Sequence, residues 1–410
     1  MKRVPMIAFF VGHAINSAGT KMTLVALPLL VYATTGSATR TGAVAFVQIG
    51  CYVTAKALGA PLIDRAGRRL VGIAATMIAG ACAAGVPALF LGGPPPFVLL
   101  LAVLACAGAS QGLASGAERV LLPDVATATD TNLERAATVF DGVDRLGLLL
   151  GAPIGGVLVA WVGAANVLWF DATSYAVAAS LLALAVRGLA RPADVEHPPY
   201  LTSLSEGWVF LRANRLLLNI SIVVALGNML DQAKTAVLLP VWTSDIAHSP
   251  EASGLIYGAA GIGAVGGNLL FIWLAPKLPR WATFAVCYMA GCSTQFFSLA
   301  LFSDAGGPMI VNFVGGVLSA ALNPILAAVT YEQVPDGMRA RVFGISGAMA
   351  FVGMPFGGML GGLAVSAFGA TGGLWAAGTV YLLITLAPLV FPVWRQMDRS
   401  ARPSLEAAPA

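Results

Sequence analysis

The stretch 141-DGVDRLGLLLGAPIGG-156 decides how the rest of the chain is read. It opens on Asp141, Asp144 and Arg145, then runs apolar through Gly151, Pro153, Gly155 and Gly156 into VLVAW. It is too apolar for a surface helix and too charged and broken for a plain membrane span. A second stretch, 343-FGISGAMAFVGMPFGG-358, repeats it. Gly142, Gly151, Pro153, Gly155, Gly156 and Leu158 match Gly344, Gly353, Pro355, Gly357, Gly358 and Leu360, all 202 residues apart. Glycine lets helices approach closely, and proline leaves a carbonyl unpaired so that a helix bends. Tight packing alone accounts for one such stretch. Its recurrence favours a paired bending and sliding surface.

The repeat extends beyond these helices. Asn16, Thr23, Val25, Leu27 and Pro28 match Asn228, Thr235, Val237, Leu239 and Pro240 at an offset of 212, as do Gly42 with Gly254 and Arg68 with Arg280. Gly163-Ala164, Leu168-Trp169 and Tyr175 match Gly369-Ala370, Leu374-Trp375 and Tyr381 at 206. Chance matches among glycine, alanine and leucine are cheap; ordered matches of proline, tryptophan, asparagine and tyrosine are not. The chain is therefore two parallel halves, an arrangement in which one half rocks against the other around a central site.

Composition names the solvent. The chain of 410 residues is 58% hydrophobic and 10% charged, against about 25% charged in soluble domains. A bilayer is the consistent surrounding. Reading apolar runs of about 20 residues as spans yields twelve, six in each half: an all-α membrane protein of two pseudo-symmetric six-helix bundles. The expected domains are 1–187 and 216–395, a linker over 188–215 and a disordered cytoplasmic tail over 396–410. Within the linker, Leu204, Trp208 and Leu211 fall on one face of a helix expected to lie on the membrane surface. The apolar N-terminal run has no small-residue cleavage site and is read as a retained first span. With the N-terminus inside, nearly all Lys and Arg fall on the cytoplasmic side and the opposite loops keep Arg40 alone, so both termini are expected in the cytoplasm of a bacterial inner membrane. The net charge of +4 without a basic tract argues against nucleic acid as a partner. The partners expected are lipid, protons and a small molecule, with the protein acting as a monomer.

Between the second and third spans stands 60-APLIDRAGRR-69. This resembles the signature loop of the major facilitator superfamily, Gly-x-Leu-Ala-Asp-Arg-x-Gly-Arg-Arg, with Ala60 for the first glycine and Ile63 before the acid. The glycine-proline helix is similar to the antiporter motif of the same superfamily, with Pro153 one place late. The stretches 27–38, 118–125 and 334–344 resemble the branch of enterobactin exporters and macrolide-efflux proteins. The resemblance implies the major facilitator fold and a secondary exporter of a drug, siderophore or secondary metabolite, driven by proton antiport. It implies that Asp64, Arg65, Gly67, Arg68 and Arg69 form a latch at the cytoplasmic end. Physically, a carboxylate at Asp64 suits donors at a helix N-terminus. Arginines suit acids or anionic headgroups. The matching loop of the second half, 276-PKLPR-280, lacks the acid and the glycine, so a single latch is expected.

Charges at membrane depth mark a transport path. Lys21, Asp231 and Lys234 lie near mid-membrane, with Asn16 and Asn228 on the same repeat-related helices. Asp231 and Lys234 share a helical face, and Lys21 is placed to meet Asp231 across the halves. That leaves one cation over, which suits an anionic or zwitterionic substrate; a structural ion pair is the competing reading. Asp141 and Arg145, four apart, are expected to pair, leaving Asp144 as a second candidate proton carrier. Asp171 is read as structural. His13, His197 and His248 are not clustered in sequence, and no metal-ligand or nucleotide motif is present. No metal, cofactor or enzymatic activity is expected. An importer or proton symporter is the nearest rival; a membrane sensor or enzyme reusing the bundle is a rival of another class.

Overall fold

The computed structural model describes residues 4–187, 200–249 and 251–398, and among them every regular element is a helix. The first half holds α1 (Val4–Thr35), α2 (Ala38–Leu58), α3 (Arg68–Leu89), α4 (Phe97–Ala128), α5 (Leu133–Val162) and α6 (Ala164–Ala185). The second holds α7 (Arg215–Asp245), α8 (Glu251–Leu274), α9 (Arg280–Leu301) and α10 (Gly306–Gln333). The last two, α11 (339–368) and α12 (370–385), run into one another across Gly369. By hydropathy, ten stretches among the described residues are long and apolar enough to cross a membrane. One of the ten contains both α11 and α12, and α5, with five charged residues, is not among them. Twelve spanning helices result.

The sequence repeat becomes a spatial one. Gly163 and Gly369, repeat partners, turn the chain between α5 and α6 and between α11 and α12 at φ of +85° and +74°. Only glycine adopts that conformation without a steric penalty. Across the halves, α2 packs on α11 and α5 packs on α8, the pairing a twofold axis requires. Gly42 abuts the Gly358 backbone, and its repeat partner Gly254 abuts Gly156, the repeat partner of Gly358.

These contacts lie toward one end of the molecule, distal to the end where Val4 and Asp398 sit. There the halves are closed. Thr39 and Ser366 hydroxyls are 2.6 Å apart, and Tyr32 Oη donates to Asp245 Oδ2 at 2.5 Å. The termini end is open: beside the Cα atoms of Gly142, Gly344 and Gly347, a space within 4 Å is empty. A cleft of about 510 Å³ opens between α7, α10 and α11, lined by Ser221, Asn323, Thr330, Tyr331 and Ser346.

The structure adds contacts at the linker and at the start of the tail. The helix Tyr200–Ala213 docks on the second half, where Glu206 Oε2 pairs with Arg341 Nη1 at 2.5 Å and Gly207 meets the Arg341 backbone. Leu211 is fully buried in that half's core while Trp208 remains 40% exposed, so the two do not share one lipid-facing side; the side chain of Leu204 lies outside the described residues. The tail is packed as far as Asp398. Trp394 and Met397 are buried, Trp394 stacks on Phe284 with ring centroids 5.6 Å apart, and Asp398 Oδ1 accepts from the Trp281 amide. Apolar burial of a tryptophan outweighs the ordering of the few residues that carry it. The rest of the tail, 399–410, lies outside the described residues.

Candidate functional site

The glycine-rich helices use two faces each. On α5, Gly151 and Gly155 let α1 approach: a Cβ on Gly151 would stand 2.8 Å from Lys21 Cβ, and one on Gly155 2.7 Å from Met22 Cα. Gly156 faces the other half. On α11, Gly353 and Gly357 lie against Ala225 and Met229 of α7, while Gly358 faces α2. The stripe thus serves packing within each half on one side and closure between halves on the other. Regular helix is interrupted at Gly353, two residues before the buried Pro355, whose nitrogen has no hydrogen to donate to the preceding turn. In contrast, α5 continues through Pro153; the side chain of Pro153 lies outside the described residues. Gly142 has open space beside it.

The loop between α2 and α3 is a short helix, Ala60–Ala66, ended by Gly67 at φ +88°. Arg68 Nε pairs with Asp124 Oδ2 at 2.9 Å, tying α3 to the end of α4. Arg69 is also partnered, and Arg65 is exposed. Asp64 is exposed and makes no hydrogen bond or ion pair among the described residues. The second half has an ion pair of its own, Arg280 Nη1 to Glu332 Oε2 at 2.7 Å. Its acid sits one turn before the position that matches Asp124, which is why the loop comparison missed it.

The mid-depth charges do not pair as expected. Asp231 and Lys21 form no ion pair. Asp231 Oδ2 instead accepts from Tyr381 Oη at 3.1 Å. Lys234 Nζ donates to Gln295 Oε1 and lies 5.5 Å over the Phe296 ring. Both sit where α7 and α9 widen into π-helical turns, Lys234–Leu238 and Met289–Ser293, a distortion common at functional sites. Lys21 is half-buried and makes no ion pair among the described residues. Asn228 Nδ2 donates to Ala350 O at 2.9 Å, so it fastens α11 rather than pointing free into a path; Asn16 keeps a buried Oδ1 without a partner. Asp171 is fully buried, accepts from Thr23 at 2.6 Å and Ser174 at 3.2 Å, and holds α1 to α6.

Asp141 has a partner that the helical spacing did not point to. Arg119 of α4 takes Asp141 at 2.8 Å, a cross-helix partner that i,i+4 spacing cannot reveal; the Arg145 side chain lies outside the described residues. Asp144 is not isolated. Ser17 Oγ donates to its Oδ1 at 3.1 Å, and His13 Nε2 stands 3.5 Å from the same oxygen. On its other side, His13 Nδ1 lies 2.9 Å from Glu118 Oε2. Sequence reasoning missed both His13 and Glu118. Their only signal was an ionisable residue within an apolar run, the same signal that singled out Asp231.

A model of the Major Facilitator Superfamily matches residues 9–311. The chain belongs to the Major Facilitator Superfamily. Among curated members, the multidrug efflux pump Tap of Mycobacterium tuberculosis is 27% identical over 410 residues, covering 98% of this chain and 97% of that protein. The nucleoside transporter NupG shares the superfamily fold with a TM-score of 0.75 and 13% identity over 94% of this chain and 98% of that one. A bacterial homologue of the human lysosomal transporter Spinster, in an inward-facing and unoccupied conformation, gives a TM-score of 0.72 with 13% identity and 97% coverage of both chains. What this chain shares with the two solved structures is the fold.

Proposed function

We propose that the chain exports a small organic molecule across the bacterial inner membrane by alternating access, with inward proton flow as the driving force. The observation that carries this reading is the inequality of the two ends. One end is closed by Gly42 on Gly358 and Gly156 on Gly254, contacts made largely of backbone; the other is open. A rigid rock of one half about the pseudo-twofold axis reverses the two. The excess of Lys and Arg at the termini end supports a cytoplasmic opening, so the conformation described is the one that loads cargo from inside. The likeness to a protein named as a multidrug efflux pump supports outward transport of organic compounds. The protein works as a monomer, with Asp144 and Asp231 as the acids available to carry protons and Lys21 as the cation facing cargo.

The test is efflux of ethidium, tetracycline and carboxyfluorescein from cells expressing the protein, with and without a protonophore. Export of at least one compound, abolished by the protonophore, is expected. Export unaffected by the protonophore removes proton coupling; inward accumulation replaces export with import.

A further inference from the structure

Three ionisable side chains from three helices meet inside the first half. Counting about 1.5 Å per residue from the termini end of each helix, His13, Glu118 and Asp144 all lie about 14–17 Å deep, and Lys21 and Asp231 about 24–26 Å deep. The three therefore sit at one level, in the open half of the molecule. Glu118 and His13 are each 8% exposed at their side chains, whereas Asp144 is 48% exposed. His13 Nε2 is buried without a hydrogen bond and is aimed at Asp144. Phe140 stacks on the imidazole at 3.8 Å and Arg119 lies over Phe140 at 5.4 Å, which closes one face of the ring to water.

We infer that the Glu118–His13–Asp144 chain is the proton-coupling site of this transporter, with the half-exposed Asp144 as its outer port and Glu118 as its buried terminus. The inference rests on the proton-driven reading above and names the residues that carry it out. A neutral imidazole donates through one nitrogen and accepts through the other. With Nδ1–H donated to Glu118, Nε2 is free to accept. A proton arriving on Asp144 Oδ1 passes to Nε2, and the Nδ1 proton passes to Glu118 Oε2. One proton enters at Asp144, one carboxylate in the interior is neutralised, and the imidazole ends in its other tautomer. Release runs the same steps backward. No oxidant or further reactant is needed.

Among the described residues, other polar and charged groups on the neighbouring helices have partners of their own. From α4, Arg119 is committed to Asp141 of α5. From α6, Asp171 is held by Thr23 and Ser174, and Tyr175 by Thr20. From α2, Lys56 is taken up by Tyr52 and the Phe351 ring. Asp144 is thus the charged group closest to the free imidazole nitrogen, and moving the halves changes which side it faces.

The chain has three histidines, so ring-nitrogen NMR of histidine-labelled protein in detergent is simple to assign, with His13→Gln removing one set of signals. Asp144→Asn and Glu118→Gln are each expected to change the tautomer the His13 ring signals report, because each replaces the partner of one imidazole nitrogen. A His13 tautomer unchanged in both variants overturns the inference; so does protonophore-sensitive ethidium efflux that persists in His13→Gln. Monodisperse elution and the melting temperature check that the variants fold, and wild-type signals that report Nδ1 without a proton overturn the relay even where a variant does not fold. Ethidium efflux by the wild type that ignores the protonophore would end the coupling reading itself, whereas protonophore-sensitive efflux with a His13 tautomer indifferent to Asp144 and Glu118 overturns the relay alone.

Discussion

Gly254→Ala tests the closure directly. The added Cβ would stand 2.6 Å from Gly156 Cα, 2.8 Å from its carbonyl carbon and 2.9 Å from Val157 N. All are backbone atoms, with no rotamer to yield. Ordinary contact begins at 3.4 Å, so α8 must retreat from α5 by about 0.8 Å. Overpacking of this kind costs about 1–3 kcal/mol. The cost falls only on the conformation closed at the distal end. Alanine's advantage in helix propensity, about 1 kcal/mol, is common to both conformations and cancels. The ratio of closed to open should therefore fall about five- to 150-fold. Pulsed electron paramagnetic resonance measures it, with one pair of spin labels at Trp161 and Leu255 on α5 and α8 and a second at Arg40 and Ala367 on α2 and α11. All four positions are exposed. Both distances should lengthen, because a rigid half carries α8 and α11 together. Lengthening confined to the α5–α8 pair would show that the helices give way locally, and the rocking mechanism would be refuted.

Arg68→Gln leaves Asp124 without its cation and should lower stability by about 1–3 kcal/mol, read as a lower melting temperature; exchanging the two residues should restore most of it. Asp64→Asn should leave the melting temperature of the termini-open state unchanged, within the ±0.5 kcal/mol expected of surface changes (about), while slowing efflux, since its partner exists only when that end closes. For Asp231→Asn and Lys234→Gln, a double-mutant cycle on thermal stability should show a coupling of about 0.5–3 kcal/mol, because each single change strands an opposite interior charge one turn away; strict additivity would mean that Tyr381 and Gln295 satisfy the two charges separately.

Much of the architecture was legible because it is written twice. Gly42 with Gly254 and Gly156 with Gly358 are repeat partners in the sequence, and the structure brings them together in swapped pairs. Span lengths followed from hydropathy for the same reason that composition fixed the solvent. The site was less legible. Glu118 is 105 residues from His13, and Ser17 is 127 from Asp144; no local spacing encodes such contacts. Arg119 reaches Asp141 from a neighbouring helix, 22 residues away in sequence. Lys21 and Asp231 sit at similar depth, but lateral position is set by helix packing. There, Tyr381 from α12 supplied a partner within the same half.

The π-helical turn Lys234–Leu238 has one further consequence. The offset of 212 between α1 and α7 holds from Asn16 through Pro28, with no residue inserted opposite that turn. A turn that takes in one extra residue rotates everything beyond it by about 100° relative to an ordinary helix. Val25 and Leu27 therefore correspond to Val237 and Leu239 in ancestry but not in azimuth. Past this point, duplicated letters aim in different directions, and a protein built from two copies of one unit acquires a lopsided interior suited to cargo that has no twofold symmetry of its own.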